Sequence, residues 1–177
     1  MSCLKELLKS DPYRMSVLRL VASLDLPDCY VAAGFVRNMV WDHLHQLAPS
    51  KLNDIDVVFF DSADTFNSRC KYAETLLHQR ASHINWQVKN QAMMHLRNND
   101  NPYNNTSDAM SFWPEKETAV GVHLKEKGLL GIAAPFGIES LFRGEITFNP
   151  KRDRDIFLNR IESKQWLKKW PNLKIVL

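Results

Sequence analysis

The sequence predicts an α/β or α+β fold in which a mixed β-sheet is flanked by helices. Three observations carry this expectation. Segments with apolar residues at helical spacing alternate along the chain with short runs of β-branched and aromatic residues. Gly34 stands directly between one such run and the helical segment that follows it. Two later runs flank Lys125-Glu126-Lys127-Gly128, the pattern of an antiparallel hairpin with glycine at its turn.

The elements follow in order. Residues 2–9 suit a short helix. Ser10 or Asp11 before Pro12 starts a second one, because proline is tolerated where the first helical N–H groups lack partners anyway. Met15, Leu18, Val21 and Ala22 then recur at helical spacing, and Leu26-Pro27-Asp28 ends the segment. Cys29–Ala33 reads as a short buried strand. A helix from Phe35 to Leu47 follows Gly34, with Val36, Met39, Val40, Leu44 and Leu47 on its apolar side. Pro49-Ser50-Lys51 makes a loop, and Ile55–Phe60 is a strand. Residues 64–80 are helical, and residues 84–88 alternate apolar and polar as a strand does.

Residues 97–117 hold five asparagines and two prolines. They predict a long, largely irregular excursion with a short helix near Ser107–Phe112, and loops of that length tend to be functional or mobile. Thr118–Leu124 and Leu129–Ala133 form the hairpin. Gly137–Phe142 suits a helical turn, Glu145–Phe148 a short strand, and residues 152–169 a basic helix. The expected organisation is a single domain over residues 1–177, with N-terminal helices in 1–27 and a basic C-terminal helix at about 152–170.

Composition narrows the function classes. With 45% hydrophobic and 24% charged residues, the chain of 177 residues can bury a core and is not a disordered type. No apolar run approaches the ~20 residues of a membrane helix, so no membrane partner is expected. The opening Met-Ser-Cys-Leu-Lys-Glu puts charge where a signal peptide has its apolar stretch. Cys3, Cys29 and Cys70 are too widely spaced for a metal motif or a disulfide framework, and a cytoplasmic location is expected. Net charge is +3, but residues 151–177 carry eight Lys and Arg against three acids, leaving a slightly acidic body. That basic end reads as a solvated amphipathic helix, with Trp166 and Trp170 four apart on a core-facing stripe. RNA binding by a basic tail is the weaker alternative.

The segment from residue 29 to 61 carries the chemistry. A strand ending in Gly34 at a helix start leaves backbone N–H groups free to meet a phosphate. Arg37, in the first turn, adds a charged donor. Asp54 and Asp56 lie two apart on a strand, so both side chains leave one face while Ile55 and Val57 face the core. Two carboxylates on one face repel unless a cation lies between them. Hard oxygen ligands of this kind suit Mg²⁺ that also holds substrate phosphates. Elsewhere, His95 with Asn90 and Gln91 reads as a hydrogen-bonded cluster or a cleft-facing one. Tyr103 and Trp113-Pro114 either anchor the excursion or stack a ring. His43, His45, His78 and His83 make no zinc set with the cysteines.

On these residues the segment resembles the nucleotide-binding core of the polymerase-β-like nucleotidyltransferase superfamily. The nearest pattern is that of the head of CCA-adding enzymes and poly(A) polymerases, where a Gly-Gly-x-Val-Arg-Asp helix start precedes an Asp-x-Asp strand. The counterparts are Ala33-Gly34-Phe35-Val36-Arg37-Asn38 and Asp54-Ile55-Asp56, with Ala33 in place of the first glycine and Asn38 in place of the acid. The chain also resembles a group of small bacterial proteins described as nucleotidyltransferase-like. That likeness covers Val88–His95, Pro102-Tyr103, Ser107–Glu115, Thr118–Val122, Ala134–Ile138 and Arg160–Trp166, most of residues 13–171.

The resemblance implies transfer of a nucleoside monophosphate from an NTP to an acceptor. Two metal ions, Mg²⁺ or Mn²⁺, held by Asp54 and Asp56 would align an acceptor hydroxyl with the α-phosphate, while Gly34 and Arg37 hold the other phosphates. It also implies a third carboxylate from a later strand. The residues around Trp86–Lys89 offer Gln87 and Lys89 instead, so Asp108 is the first candidate, with Asp61, Glu115 and Glu139 behind it. A small molecule or protein side chain is favoured over an RNA end as acceptor, on chain length. The departures at Ala33 and Asn38 and the missing strand acid leave a second reading open: a catalytically degenerate nucleotide-binding or regulatory module of the same fold.

Overall fold

Asp11 accepts a hydrogen bond from the Arg14 amide at 2.9 Å, and Pro12 takes the first helical position, so the chain enters its second helix as its sequence directs. The structure, a computed structural model, describes residues 2–177. In chain order the elements are α1 (Ser2–Lys9), α2 (Pro12–Ala22), β1 (Tyr30–Ala32), α3 (Gly34–Leu44), β2 (Ile55–Phe59), α4 (Ser68–Arg80), β3 (Trp86–Asn90), α5 (Met94–Asn98), α6 (Thr106–Met110), β4 (Gly121–Leu124), β5 (Leu130–Ala133), α7 (Glu139–Phe142), β6 (Glu145–Thr147), α8 (Arg154–Ser163), α9 (Trp166–Lys169) and β7 (Lys174–Val176).

Five strands form a mixed sheet in the order β3-β2-β1-β4-β5. β2 is parallel to β3, and the other neighbours are antiparallel. Alternation along β1 and β2 sorts the residues by face. Val31, Ile55, Val57 and Phe59 enter the main core with Val17, Leu18 and Val21 of α2, Phe35, Val36 and Val40 of α3, and Leu77 of α4. Ala32 and Val58, on the other face, join Met110, Ala119 and Ala133 in a small second cluster, with Asp56 between them in sequence. The sheet is thus covered by helices on one face and left partly open on the other, where a cleft forms.

The hairpin has the expected positive φ at its turn, 57° at Lys127 and 74° at Gly128. Other elements differ from expectation. The basic stretch expected as one helix breaks at Gln165, whose φ is 51°, giving α8 and the short α9. The excursion of residues 97–117 is folded down rather than loose. Thr106 donates from its amide and hydroxyl to Asp28, both at 2.6 Å, and the Asn149 amide group donates to the Ser111 and Trp113 carbonyls at 2.9 and 2.8 Å. Strand β7 was not expected. It pairs in parallel with β6, and all three of its residues are exposed, so it has no burial pattern to reveal it.

Candidate active site

The turn that feeds α3 is built on a strained residue. Ala33 has φ 56° and ψ −123°, a conformation that glycine adopts readily and an L-residue does not. Its amide bonds Val120 at 3.0 Å, and its carbonyl accepts from the Val36 and Arg37 amides, which closes the first turn of α3. No side chain caps this helix start. A Cβ on Gly34 would meet Asn38 and Arg37 side-chain atoms at 3.5–3.7 Å, ordinary van der Waals contact, so these two side chains pack directly beside the bare backbone.

Arg37 is 7% exposed and held from several directions. Its Nη1 donates to Thr118 Oγ1 at 2.6 Å and its Nη2 to Asn38 Oδ1 at 3.0 Å. The guanidinium lies over the rings of Trp41 and Trp166 at 5.0 and 4.3 Å. Trp41 meets Trp166 and Trp170 edge-on, and Trp170 Nε1 donates to Asp42 Oδ1 at 3.0 Å. The C-terminal segment is thereby latched onto α3. Burial pushes the Arg37 guanidinium down to about 10, with Glu115, Asp56 and Asp54 working the other way, so it remains a cation at neutral pH.

Asp54 is exposed and directly precedes β2, and Asp56 is half-buried within it. Asp56 stands opposite Ala32 on β1 and Gln87 on β3. Burial and then the charge of Asp54 push the Asp56 carboxyl above its ordinary value, against the lowering pull of Lys89, Arg37 and Lys164. Two hard-oxygen donors in mutual repulsion fit a divalent cation completed by water and phosphate oxygens.

The structure brings Gly34, Arg37, Asp54 and Asp56 to one cleft of about 760 Å³. Its lining includes eight cations, Arg37, Lys51, Lys89, Arg97, Arg152, Arg160, Lys164 and Lys169, against the two aspartates. Four of the eight come from the basic end of the chain. That end is therefore part of the cleft wall, a correction to its reading as a solvated helix. The concentration of charge in residues 151–177 was the available signal, but nothing local showed which way it turns. Two of these cations are already committed: Arg160 Nε donates to the fully buried Glu115 at 2.6 Å, and Arg152 makes a two-pronged contact with Asp100.

The third carboxylate does not assemble. Asp108 is not in the cleft lining; its Oδ2 accepts from the Asn104 amide and side chain, both at 2.8 Å, and ties the excursion together. Asp61 pairs with Arg69, Glu115 with Arg160, and Glu139 accepts from the Ile138 amide. Among the described residues no group of three or more His, Cys, Asp or Glu comes together. His95 bonds the Ala92 carbonyl and meets Tyr103 edge-on, so it belongs to a structural cluster, while Phe112 and Trp113 line the cleft. Among the described residues no helix is long and apolar enough to cross a membrane.

Comparison with known proteins bears on the family and the fold. The profile of a family described as nucleotidyltransferase matches residues 19–175. An NMR structure described as revealing a CCA-adding enzyme head domain is 31% identical, over 99% of this chain and 95% of that one, with a TM-score of 0.85. Two complexes of CCA-adding enzyme, with CTP and with ATP, share the fold at 18% identity and TM-scores of 0.62 and 0.59. This chain spans 43% and 41% of those two enzymes. No curated protein sequence matches.

Proposed function

The chain belongs to the nucleotidyltransferase family, and from that premise we propose that it transfers a nucleoside monophosphate from an NTP to an acceptor hydroxyl, using Mg²⁺ or Mn²⁺ held by Asp54 and Asp56. The observation that carries this reading is the convergence of an uncapped helix start, a fixed arginine and two facing carboxylates in one cationic cleft. When bound, the divalent ion supplies Lewis-acid polarisation of the phosphate being transferred.

The chain's own residues do the remaining work. The first N–H groups of α3 receive phosphate oxygens. Arg37, immobilised by Thr118, Asn38 and two tryptophan faces, meets them with little reorganisation. Lys51, Lys164 and Lys169 offset charge along the triphosphate. The acceptor oxygen bonds to the α-phosphorus. The bond from that phosphorus to the bridging oxygen breaks, pyrophosphate leaves with the electron pair, and the acceptor proton passes to water. The cleft suits an NTP with a compact second group, which favours a small molecule or an exposed side chain as acceptor.

The test is a panel of four α-labelled NTPs with Mg²⁺ or Mn²⁺, following pyrophosphate release and label transfer into cell extract. The wild type should release pyrophosphate, and Asp54→Asn/Asp56→Asn should lose at least a hundredfold. Equal rates in both would sink the assignment. The missing third carboxylate favours one second reading, a nucleotide-binding module without turnover, and NTP binding with no pyrophosphate release would select it.

A further inference from the structure

We propose that this site holds a single divalent cation, on Asp54 and Asp56, and that Lys89 provides from the protein the positive charge a second ion would bring to the reacting phosphate. The inference rests on the nucleotidyl-transfer reading above and specifies how that site is charged.

The donor set comes first. The cleft offers two carboxylates, and the other candidate acids are engaged elsewhere by Asn104, Arg69, Arg160 and the Ile138 amide. Two carboxylates suffice for one Mg²⁺, which keeps waters and takes substrate phosphates as its other ligands. Paired catalytic ions, about 3.5–4 Å apart, bring four positive charges and need more anionic ligands than this wall supplies.

Position comes second. β3 runs parallel to β2, with Gln87 opposite Asp56 and Lys89 opposite Val58. Lys89 thus stands on the neighbouring strand one side-chain repeat further on, its Cα about 8 Å from that of Asp56 by strand spacing. Both residues line the same cleft. This is the strand on which the third carboxylate was expected, and a lysine there reverses the sign of the charge. Lys89 is half-buried, and none of the ion pairs among the described residues includes it. A second dication placed between Asp56 and β3 would meet this ammonium, whereas a phosphate oxygen there would be attracted to it.

The test counts ions. Mn²⁺ bound per chain is measured by electron paramagnetic resonance with α,β-methylene-ATP or α,β-methylene-CTP. The wild type should bind one Mn²⁺, and Lys89→Glu should bind two. Lys89→Met should still bind one, lose about a hundredfold in pyrophosphate release, and keep the KM for NTP within a few-fold. Lys89→Met carries the test alone if the charge reversal does not fold. Two ions on the wild type, or unchanged turnover in Lys89→Met, overturns the proposal. If Asp54→Asn/Asp56→Asn binds as much Mn²⁺ as the wild type, the metal assignment beneath the proposal fails instead.

Discussion

The guanidinium of Arg37 lies 4.3 Å from the ring of Trp166, and the other ring beneath it, Trp41, meets Trp166 edge-on at 5.5 Å. An arginine in the first turn of α3 is thus set by a tryptophan from the last helix of the chain. The contact links the C-terminal segment to phosphate binding, because it fixes the cation and closes the same wall of the cleft.

Trp166 is accordingly a positioning residue. Trp166→Phe keeps an aromatic face with less area, so KM for NTP should rise several-fold while kcat changes little. Trp166→Ala empties a site that is 3% exposed and should cost about 3–5 kcal/mol of stability. Steady-state kinetics of the phenylalanine variant decide the matter: a fall in kcat alone would show that Arg37 does not depend on the ring.

Ala33→Gly should stabilise the protein. Alanine sits at φ 56°, ψ −123°, where strain is of the order of 1–3 kcal/mol, and glycine removes it. The added freedom of glycine in the unfolded chain takes back about 0.5–1 kcal/mol. The expected net gain is about 1 kcal/mol, read from urea denaturation. A loss of stability would mean that the turn tolerates alanine without strain.

This residue also shows where sequence reading stops. Gly34, Arg37, Asp54 and Asp56 were legible because each depends on local geometry: a strand end, a first helical turn, and two-residue alternation. Ala33 stands in place of a glycine, yet the backbone keeps the shape glycine would take, and one letter does not disclose a φ angle. Asp108 resembled a candidate ligand because Ser-Asp-Ala in a polar stretch suits either role, and only the contacts from Asn104 separate them. The four cleft cations from residues 152–169 were out of reach for a different reason. Their direction is set by Trp41, Trp166 and Trp170 meeting across most of the chain, and by Gln165 breaking the helix at positive φ. Strand β7 exists by pairing with β6 rather than by burial, so its residues carried no alternation to read.

Arg160→Met should destabilise strongly for its place near the surface. It leaves Glu115, fully buried, without the 2.6 Å partner that satisfies it, and an orphaned buried charge costs about 3–5 kcal/mol. Arg160→Met/Glu115→Gln removes that charge and should recover most of the loss. A double variant no more stable than the single one would assign the cost to cleft packing rather than to the ion pair.

Asp56→Asn should raise stability at neutral pH and abolish its response to divalent ions. The Asp56 carboxyl sits above its ordinary value, first through burial and then through Asp54. The folded chain therefore holds this proton to higher pH than the unfolded chain does. The associated stability is fully present below 3.8, the ordinary value, and is lost as pH rises through the folded one. At pH 7 the ionised group is a net cost, and asparagine removes it. The melting temperature of Asp56→Asn should exceed that of the wild type at pH 7, with the difference closing as pH falls below 3.8. Mg²⁺ supplies the missing counter-charge by another route. At about 100 times its Kd it should stabilise the wild type by about 2.7 kcal/mol and leave Asp56→Asn nearly unmoved. Equal Mg²⁺ shifts in both chains would show that the ion binds away from Asp56, and a less stable Asp56→Asn at pH 7 would show that the aspartate charge is already compensated by Lys89, Arg37 and Lys164.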